Sequence, residues 1–239
     1  MNTAATAADA DADAPRYMAH PEAFAPLGNA ERTPRHADAQ LRQGTARLGM
    51  WVFLAGEVLF FGALLVAYGV LRTRWPEGFA AASLNTHVGL GTLNTALLLT
   101  SSFAVAVAAE ASECHRPRDV APWLGLAVAL GLAFLAVKAM EYRKEWLEGL
   151  FPGPGFRIDG RVVAGAELFF AWYYIATALH SLHLAVGILL CAGFALASRS
   201  RHPERAGAPR IHAVALYWHF VDIVWIVLYP LIYLVAPRS

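Results

Sequence analysis

The sequence has little charge and very little cysteine. Charged residues make up 15% of the 239 residues, and cysteine occurs only as Cys114 and Cys191, which lie far apart. Soluble domains usually carry about 25% charged residues, and disulfides or structural metal sites need cysteines in suitable groups. Glycine-rich phosphate loops, nucleophile elbows and paired metal motifs are also missing. The composition therefore argues against a soluble enzyme, and the net charge of +1 gives no indication of a nucleic-acid partner.

What the sequence does contain is long apolar segments, because 57% of its residues are hydrophobic. A helix needs about 20 apolar residues to cross about 30 Å of hydrocarbon. Five segments reach that length and are continuous rather than alternating, which argues against a barrel. They run over Leu48–Leu71, Thr86–Ala109, Pro122–Tyr142, Glu167–Ala197 and Ile211–Val235. The sequence predicts an all-α, polytopic membrane bundle of five transmembrane helices.

The first 46 residues have a different composition from the rest. They are rich in Ala and Asp, with scattered Pro, Gly and Arg, and they contain no apolar core of a signal peptide. Low hydrophobicity without periodicity is typical of disordered segments. We expect residues 1–46 to form a disordered tail and residues 47–239 to form the membrane domain.

The distribution of Lys and Arg predicts the orientation in the membrane. Eleven of these residues fall in the tail, the second loop and the fourth loop, whereas seven fall on the opposite side. Because short cytoplasmic segments carry the excess of Lys and Arg, we expect a cytoplasmic N-terminus and an exoplasmic C-terminus.

Several polar residues lie inside the apolar segments, where an ionised group costs about 2.5–3.5 kcal/mol. They are Glu57, His180, His183, His219 and Asp222. Helical rise places three of them at similar depth, so an interior polar cluster is geometrically possible. Three interpretations remain open. The residues pair across helices and hold the bundle together; or Glu57 is neutral in its apolar site and exchanges protons; or the three histidines ligate a haem or metal.

A second polar group lies near the outer end of the third segment. Lys138 and Glu141 are spaced i, i+3, and Glu167 opens the fourth segment on the same side. Long basic side chains at such positions reach the interface, so we expect an interfacial ion pair with a snorkelling lysine. Small residues at four-residue spacing in the third segment predict close helix packing. They are Gly125, Ala129 and Ala133.

Five strings in chain order resemble subunit III of the haem–copper respiratory oxidases, in its five-helix bacterial form. They are LGMWVFLAGEVLFFG (48–62), TLNTALLLTSS (92–102), KAMEY (138–142), TALHSLH (177–183) and YWHFVDIVW (217–225). The resemblance covers residues 48–235, and the last string alone is fairly specific. The paired-His string departs from the family, because Ala178 and Ser181 stand where glycine is usual, so helix packing there is expected to differ.

The resemblance implies an accessory subunit in a bacterial cytoplasmic membrane, with haem and copper held by its partner. It would associate with the catalytic subunit I and with subunit II, bind structural phospholipid, and support aerobic oxygen reduction coupled to proton translocation. Glu57 would be the family's membrane carboxylate, and His219 with Asp222 its final-helix polar pair. No catalytic or metal-binding residue is implied. The family motifs also place packing residues at Asn94, Thr95, Tyr142, Thr177, Trp218 and Trp225.

The same residues leave other functions open. The altered paired-His string leaves open the related accessory protein of nitric oxide reductase. A dihaem quinol-oxidising anchor needs at least four histidines deep in the membrane. Two of the histidines that would be required, His87 and His212, lie near segment ends. A transporter with a midplane site predicts inverted repeats and broken helices, and the sequence shows neither.

Overall fold

The structure is a computed structural model that describes residues 34–114, 116–158, 163–199 and 207–234, with the backbone alone for 34–47 and 117. Those residues form six α-helices. They are α1 (Pro34–Arg74), α2 (Pro76–Leu84), α3 (Val88–Glu113), α4 (Pro117–Leu147), α5 (Ala166–Arg199) and α6 (Ala208–Tyr233).

Five helices are long and apolar enough to cross a membrane, which confirms the predicted fold class. The apolar spans are Leu48–Arg74, Val88–Glu113, Arg118–Leu147, Ala166–Arg199 and Ala208–Tyr233. We call the ends at Leu48, Glu113 and Arg199 the N face of this bundle, and the ends at Arg74, Leu147 and Tyr233 the C face. The side of the membrane to which each face belongs stays a prediction.

The helices begin or end outside the predicted apolar segments at several places. α4 starts at Pro117 and ends at Leu147, because proline at a first helical turn lacks only a donor that would be unpaired anyway. The same effect produces α2, which the sequence placed in a loop: Pro76 starts a nine-residue helix directly after α1 ends. Apolar length therefore locates a membrane span, while proline and the polar flanks decide where the helix stops.

α1 also begins earlier than expected, at Pro34. Residues 34–46 are helical although the sequence predicted an irregular tail, since this stretch combines an opening proline with Ala, Gln, Leu and Arg, which favour helix. The remainder of the predicted tail, residues 1–33, lies outside the described residues.

Close helix packing joins α3 to α4, α4 to α5, and α6 to both α3 and α5. Gly131 marks one such contact, because a Cβ there would lie 2.9 Å from Ile188 and 3.1 Å from Trp218. The predicted stripe does not pack against the other described helices at Gly125 and Ala129, which are exposed, and Gly125 has no neighbour within 4 Å of its Cβ position. Position 131 is about 1.7 turns from Gly125, so the face of α4 that packs within this bundle lies elsewhere.

The span of α1 is attached differently, through single side chains rather than close helix packing. Tyr68 Oη donates to the carbonyl of Leu231 at 2.8 Å, and Trp172 Nε1 donates to the carbonyl of Leu64 at 2.8 Å. Much of the apolar surface of α1 stays exposed, as at Leu59 and Val66. A gap is therefore left between α1 and the helices α5 and α6.

Candidate functional site

The gap beside α1 is a cavity of about 540 Å³. We call it the α1 cavity. Its wall is mostly apolar and includes residues that are exposed at the bundle surface, such as Phe53 and Leu182, so the cavity is open to the surroundings. The lining residues are Met50, Phe53, Glu57, Leu182, His183, Val186, Leu190, Phe194, Arg210, Ala213, Val214 and Tyr217.

A carboxyl–imidazole pair forms the polar part of this wall. Glu57 Oε2 lies 3.0 Å from His183 Nε2, with the two side chains 20% and 17% exposed. The other ring nitrogen, Nδ1, is 2.8 Å from the carbonyl oxygen of Leu179. A carbonyl only accepts, so Nδ1 carries a hydrogen, and Nε2 shares the single proton that lies between the ring and the carboxyl. The pair therefore joins α1 to α5 by a direct side-chain contact.

The other residues of the predicted interior cluster do not join this pair. His180 is fully buried, with its ring 5.6 Å from that of Phe134 and 5.0 Å from that of Trp225. Neither nitrogen of His180 and neither carboxyl oxygen of Asp222 has a hydrogen-bond partner among the described residues. His219 instead bonds through Nδ1 to Ser102 Oγ at 2.7 Å. The residues were predicted to lie at similar depth in the bundle, but their side chains do not face one another.

Lys138 and Glu141 form the expected ion pair, with Nζ 3.1 Å from Oε2, but the lysine is buried inside the bundle and does not extend to its surface. Its side chains are only 3% and 0% exposed. Lys138 Nζ also donates to Tyr173 Oη at 2.8 Å and to Tyr233 Oη at 3.1 Å. Tyr233 Oη in turn donates to Glu141 Oε1 at 2.6 Å. The lysine therefore points into the bundle and links α4, α5 and α6; we call these four residues and Glu145 the Lys138 cluster.

Glu145 is the fifth member and the one that sequence reasoning missed. It is fully buried, and neither carboxyl oxygen has a hydrogen-bond partner among the described residues. It stands seven residues after Lys138 and four after Glu141, so helical periodicity puts all three on one face of α4. That spacing could have identified Glu145 as a member of the cluster from the sequence alone.

Glu167 is separate from this cluster. It is exposed in the first turn of α5, and its Oε1 accepts a hydrogen bond from the backbone nitrogen of Gly153 at 2.9 Å. The residue therefore attaches the loop after α4 to the start of α5.

The family-motif residues form hydrogen bonds between helices. Trp225 Nε1 donates to Thr95 Oγ1 at 3.0 Å, and Tyr142 Oη lies 2.6 Å from Thr177 Oγ1. Trp218 Nε1 donates to Ser101 Oγ at 3.2 Å. These contacts join α3 to α6 and α4 to α5. The amide of Asn94 is buried, and neither of its polar atoms has a hydrogen-bond partner within the described part of the chain.

The described residues form no candidate metal centre. Within the residues that the structure describes, no three His, Cys, Asp or Glu side chains are grouped closely enough to hold a metal ion. The prediction that haem and copper belong to a partner remains a prediction.

Comparison with known proteins identifies the family. The sequence matches the family described as cytochrome c oxidase subunit III over residues 30–236. The cytochrome c oxidase subunit 3 of Thermostichus vulcanus is 34% identical over 196 residues, covering 79% of this chain and 87% of the relative. That of Synechocystis sp. is 30% identical over 208 residues, covering 86% and 83%. The quinol oxidase subunit 3 of Bacillus spizizenii is 27% identical over 213 residues, covering 88% and 98%.

The bundle and these matches define an accessory membrane subunit of a respiratory oxidase. The chain belongs to the cytochrome c oxidase subunit III family, whose members are accessory subunits of haem–copper oxidases. It is therefore a multi-pass membrane protein associated with the oxidase complex, and the resemblance of the five strings is confirmed.

Proposed function

We propose that this subunit supports the catalytic haem–copper subunit I, together with subunit II, and binds a phospholipid in the α1 cavity. The chain itself would carry no redox cofactor. Its site would lie in the bacterial cytoplasmic membrane, with the N face toward the cytoplasm, as the excess of Lys and Arg on that side favours.

The α1 cavity is the observation that carries the lipid proposal. A volume of about 540 Å³ with mostly apolar walls suits one or more acyl chain segments. Exposed apolar residues such as Leu182 and Leu190 continue the wall to the bundle surface, so a chain can enter from the side. An acyl chain in the bilayer is already out of water, so retention of a lipid over exchange with bulk lipid depends on dispersion contacts with closely fitting walls.

Arg210 lies at the N-face end of the cavity, near the start of α6. A guanidinium binds phosphate through a planar pair of donors. The apolar wall together with a basic group at its end therefore matches the division of a phospholipid into chains and headgroup. The Glu57–His183 pair lies deeper in the same wall, where we propose that it exchanges a proton with the cavity; release of that proton leaves one net negative charge on the pair, and rebinding restores neutrality.

The lipid proposal is tested by filling the cavity. Val186→Trp places an indole in the wall, whereas Leu189→Trp places the same group on an exposed position of the same helix outside the lining. We expect the phospholipid retained per purified oxidase complex, measured by mass spectrometry, to fall for Val186→Trp and to stay constant for Leu189→Trp. Equal retention in both variants would contradict a site in this cavity.

The partner proposal is tested by affinity purification of the tagged chain in mild detergent, with mass spectrometry and a visible spectrum. We expect a large haem–copper subunit to copurify and the haem absorption to follow that subunit when the complex is separated. Haem that remains with this chain would contradict the cofactor-free role and return His180, His183 and His219 to consideration as ligands.

A further inference from the structure

The Lys138 cluster contains two carboxyls for one ammonium in a fully buried space. Lys138, Glu141 and Glu145 are all inaccessible to solvent, apart from a 2% exposed fraction at the lysine. An isolated ionised carboxyl in an apolar interior is neutralised rather than kept charged. The distribution of hydrogen bonds shows which of the two carboxyls is matched by the lysine.

Lys138 has no donor left for Glu145. Its ammonium hydrogens are directed to Glu141 Oε2, Tyr173 Oη and Tyr233 Oη at 3.1, 2.8 and 3.1 Å. Glu141 is satisfied on both oxygens, since Tyr233 donates to Oε1 at 2.6 Å. Lys138 and Glu141 thus form a complete ion pair, while the carboxyl of Glu145 faces the hydroxyls of Tyr173 and Tyr174 rather than a cation of its own.

Among the described residues, the surroundings of Glu145 supply hydroxyl groups, and Lys138 is the cation that acts on it. The titratable groups that act on it are Lys138 and Glu141 on α4, Tyr173 and Tyr174 on α5, and, through weaker interactions, Tyr142 and Tyr233. The hydroxyl of Tyr174 is itself buried without a hydrogen-bond partner in the described part of the chain. A hydroxyl can donate to a carboxylate or accept from a neutral acid, so these groups supply no charge that would balance a second buried carboxylate.

We infer that the C-face end of α4 is a buried proton-binding site, in which Glu145 carries one exchangeable proton beside the Lys138–Glu141 ion pair. The next loop covers it: the buried Leu150 donates its backbone N–H to the carbonyl of Glu145 at 3.0 Å, and the ring of Phe151 lies 5.3 Å from that of Tyr174. The site is therefore one residue layer below the C face, and opening of this loop connects it to water. The site binds a proton, which water delivers when this loop opens.

The test is infrared difference spectroscopy of the purified oxidase complex, which detects the carbonyl stretch of a neutral carboxylic acid. Glu145→Gln removes the acid, and Glu148→Gln is the matched control because Glu148 is an exposed carboxyl at the end of the same helix. We expect one neutral-acid band to be absent from Glu145→Gln and present in Glu148→Gln. In the wild-type complex that band should shift in D₂O.

Three results would overturn the inference. They are an unchanged set of neutral-acid bands in Glu145→Gln, loss of the band in Glu141→Gln instead, or a band that does not respond to D₂O. If Glu145→Gln does not accumulate, Glu145→Asp keeps the carboxyl on a shorter stem. It should move the band to a new frequency, and an unmoved band would overturn the inference in the same way.

Discussion

Two of the acid–base pairs in this bundle, Lys138–Glu141 within α4 and Glu57–His183 between α1 and α5, differ in access. Lys138–Glu141 is sealed, with side chains 3% and 0% exposed, and every hydrogen on the ammonium has an oxygen acceptor. Glu57–His183 is 20% and 17% exposed and opens on the α1 cavity. A sealed pair must keep both charges or neither, whereas an accessible pair can gain or lose a proton. The first pair therefore anchors hydrogen bonds to Tyr173 on α5 and Tyr233 on α6, and the second is the pair for which we propose proton exchange.

The sealed pair should give the largest effect when it is broken. Lys138→Met leaves Glu141 without its cation, and loss of one partner of a buried ion pair costs about 3–5 kcal/mol. We expect a lower temperature for thermal release of this chain from the purified oxidase complex. Lys138→Met combined with Glu141→Leu removes both charges and should recover most of the loss. A double variant as unstable as the single one would show that the pair is not the source.

The same cluster can be disturbed without changing any of its residues. A Cβ at Gly91 would lie 2.7 Å from the ring of Tyr233, so Gly91→Ala must displace that ring from Lys138 and Glu141. We expect a cost of about 1–3 kcal/mol in the same thermal assay.

Gly89→Ala is the control for this experiment, since that position is in the same helical turn and has no neighbour within 4 Å. Alanine is favoured over glycine in a helix by up to about 1 kcal/mol. Gly89→Ala should therefore be neutral or stabilising, and an equal loss in both variants would mean that the ring contact is unimportant.

The accessible pair should tolerate replacement. In Glu57→Gln the amide can still donate to Nε2 of His183, so the interhelical hydrogen bond is retained and the change should stay below about 1.5 kcal/mol. We expect the oxidase complex to assemble with normal yield, measured as the ratio of this chain to the catalytic subunit. Loss of the complex would contradict the interpretation that the proton, rather than a fixed charge, is what Glu57 contributes.

A third pair extends the comparison to the bundle surface and should give the smallest effect. His212 Nε2 lies 2.6 Å from Glu113 Oε1 at the N face, with side chains 45% and 60% exposed. Exposed ion pairs contribute about 0.2–1 kcal/mol and are screened by salt. The thermal difference between His212→Gln and wild type should be small and should shrink at high ionic strength. A large salt-independent loss would contradict a surface role.

The order of the helices could be predicted from the sequence because continuous apolar runs report membrane spans directly. The partner of Glu57 could not, since the choice between His180 and His183 depends on the rotation of α5 about its axis. The burial of Lys138 was missed for a different reason. Its predicted segment ended at Tyr142, which put the lysine near the interface; α4 continues to Leu147, and the following loop covers its end.

Glu145 illustrates a second limit. The i, i+3, i+7 spacing of Lys138, Glu141 and Glu145 shows that the three side chains share a helix face. It does not show whether that face meets water or Tyr173 and Tyr233, which come from helices far along the chain. Packing of distant segments therefore determines the chemistry of this face.

The attachment of α1 determines when its contacts with other helices can form during synthesis of the subunit. Its interhelical hydrogen bonds among the described residues end on Trp172, His183 and Leu231, all in α5 or α6. These partners do not exist while α1 is the newest helix in the membrane. Of the five described spans, α1 is synthesised before its partners and is thus among the last to be secured, and its broad apolar surface lets it remain in lipid until α6 is inserted.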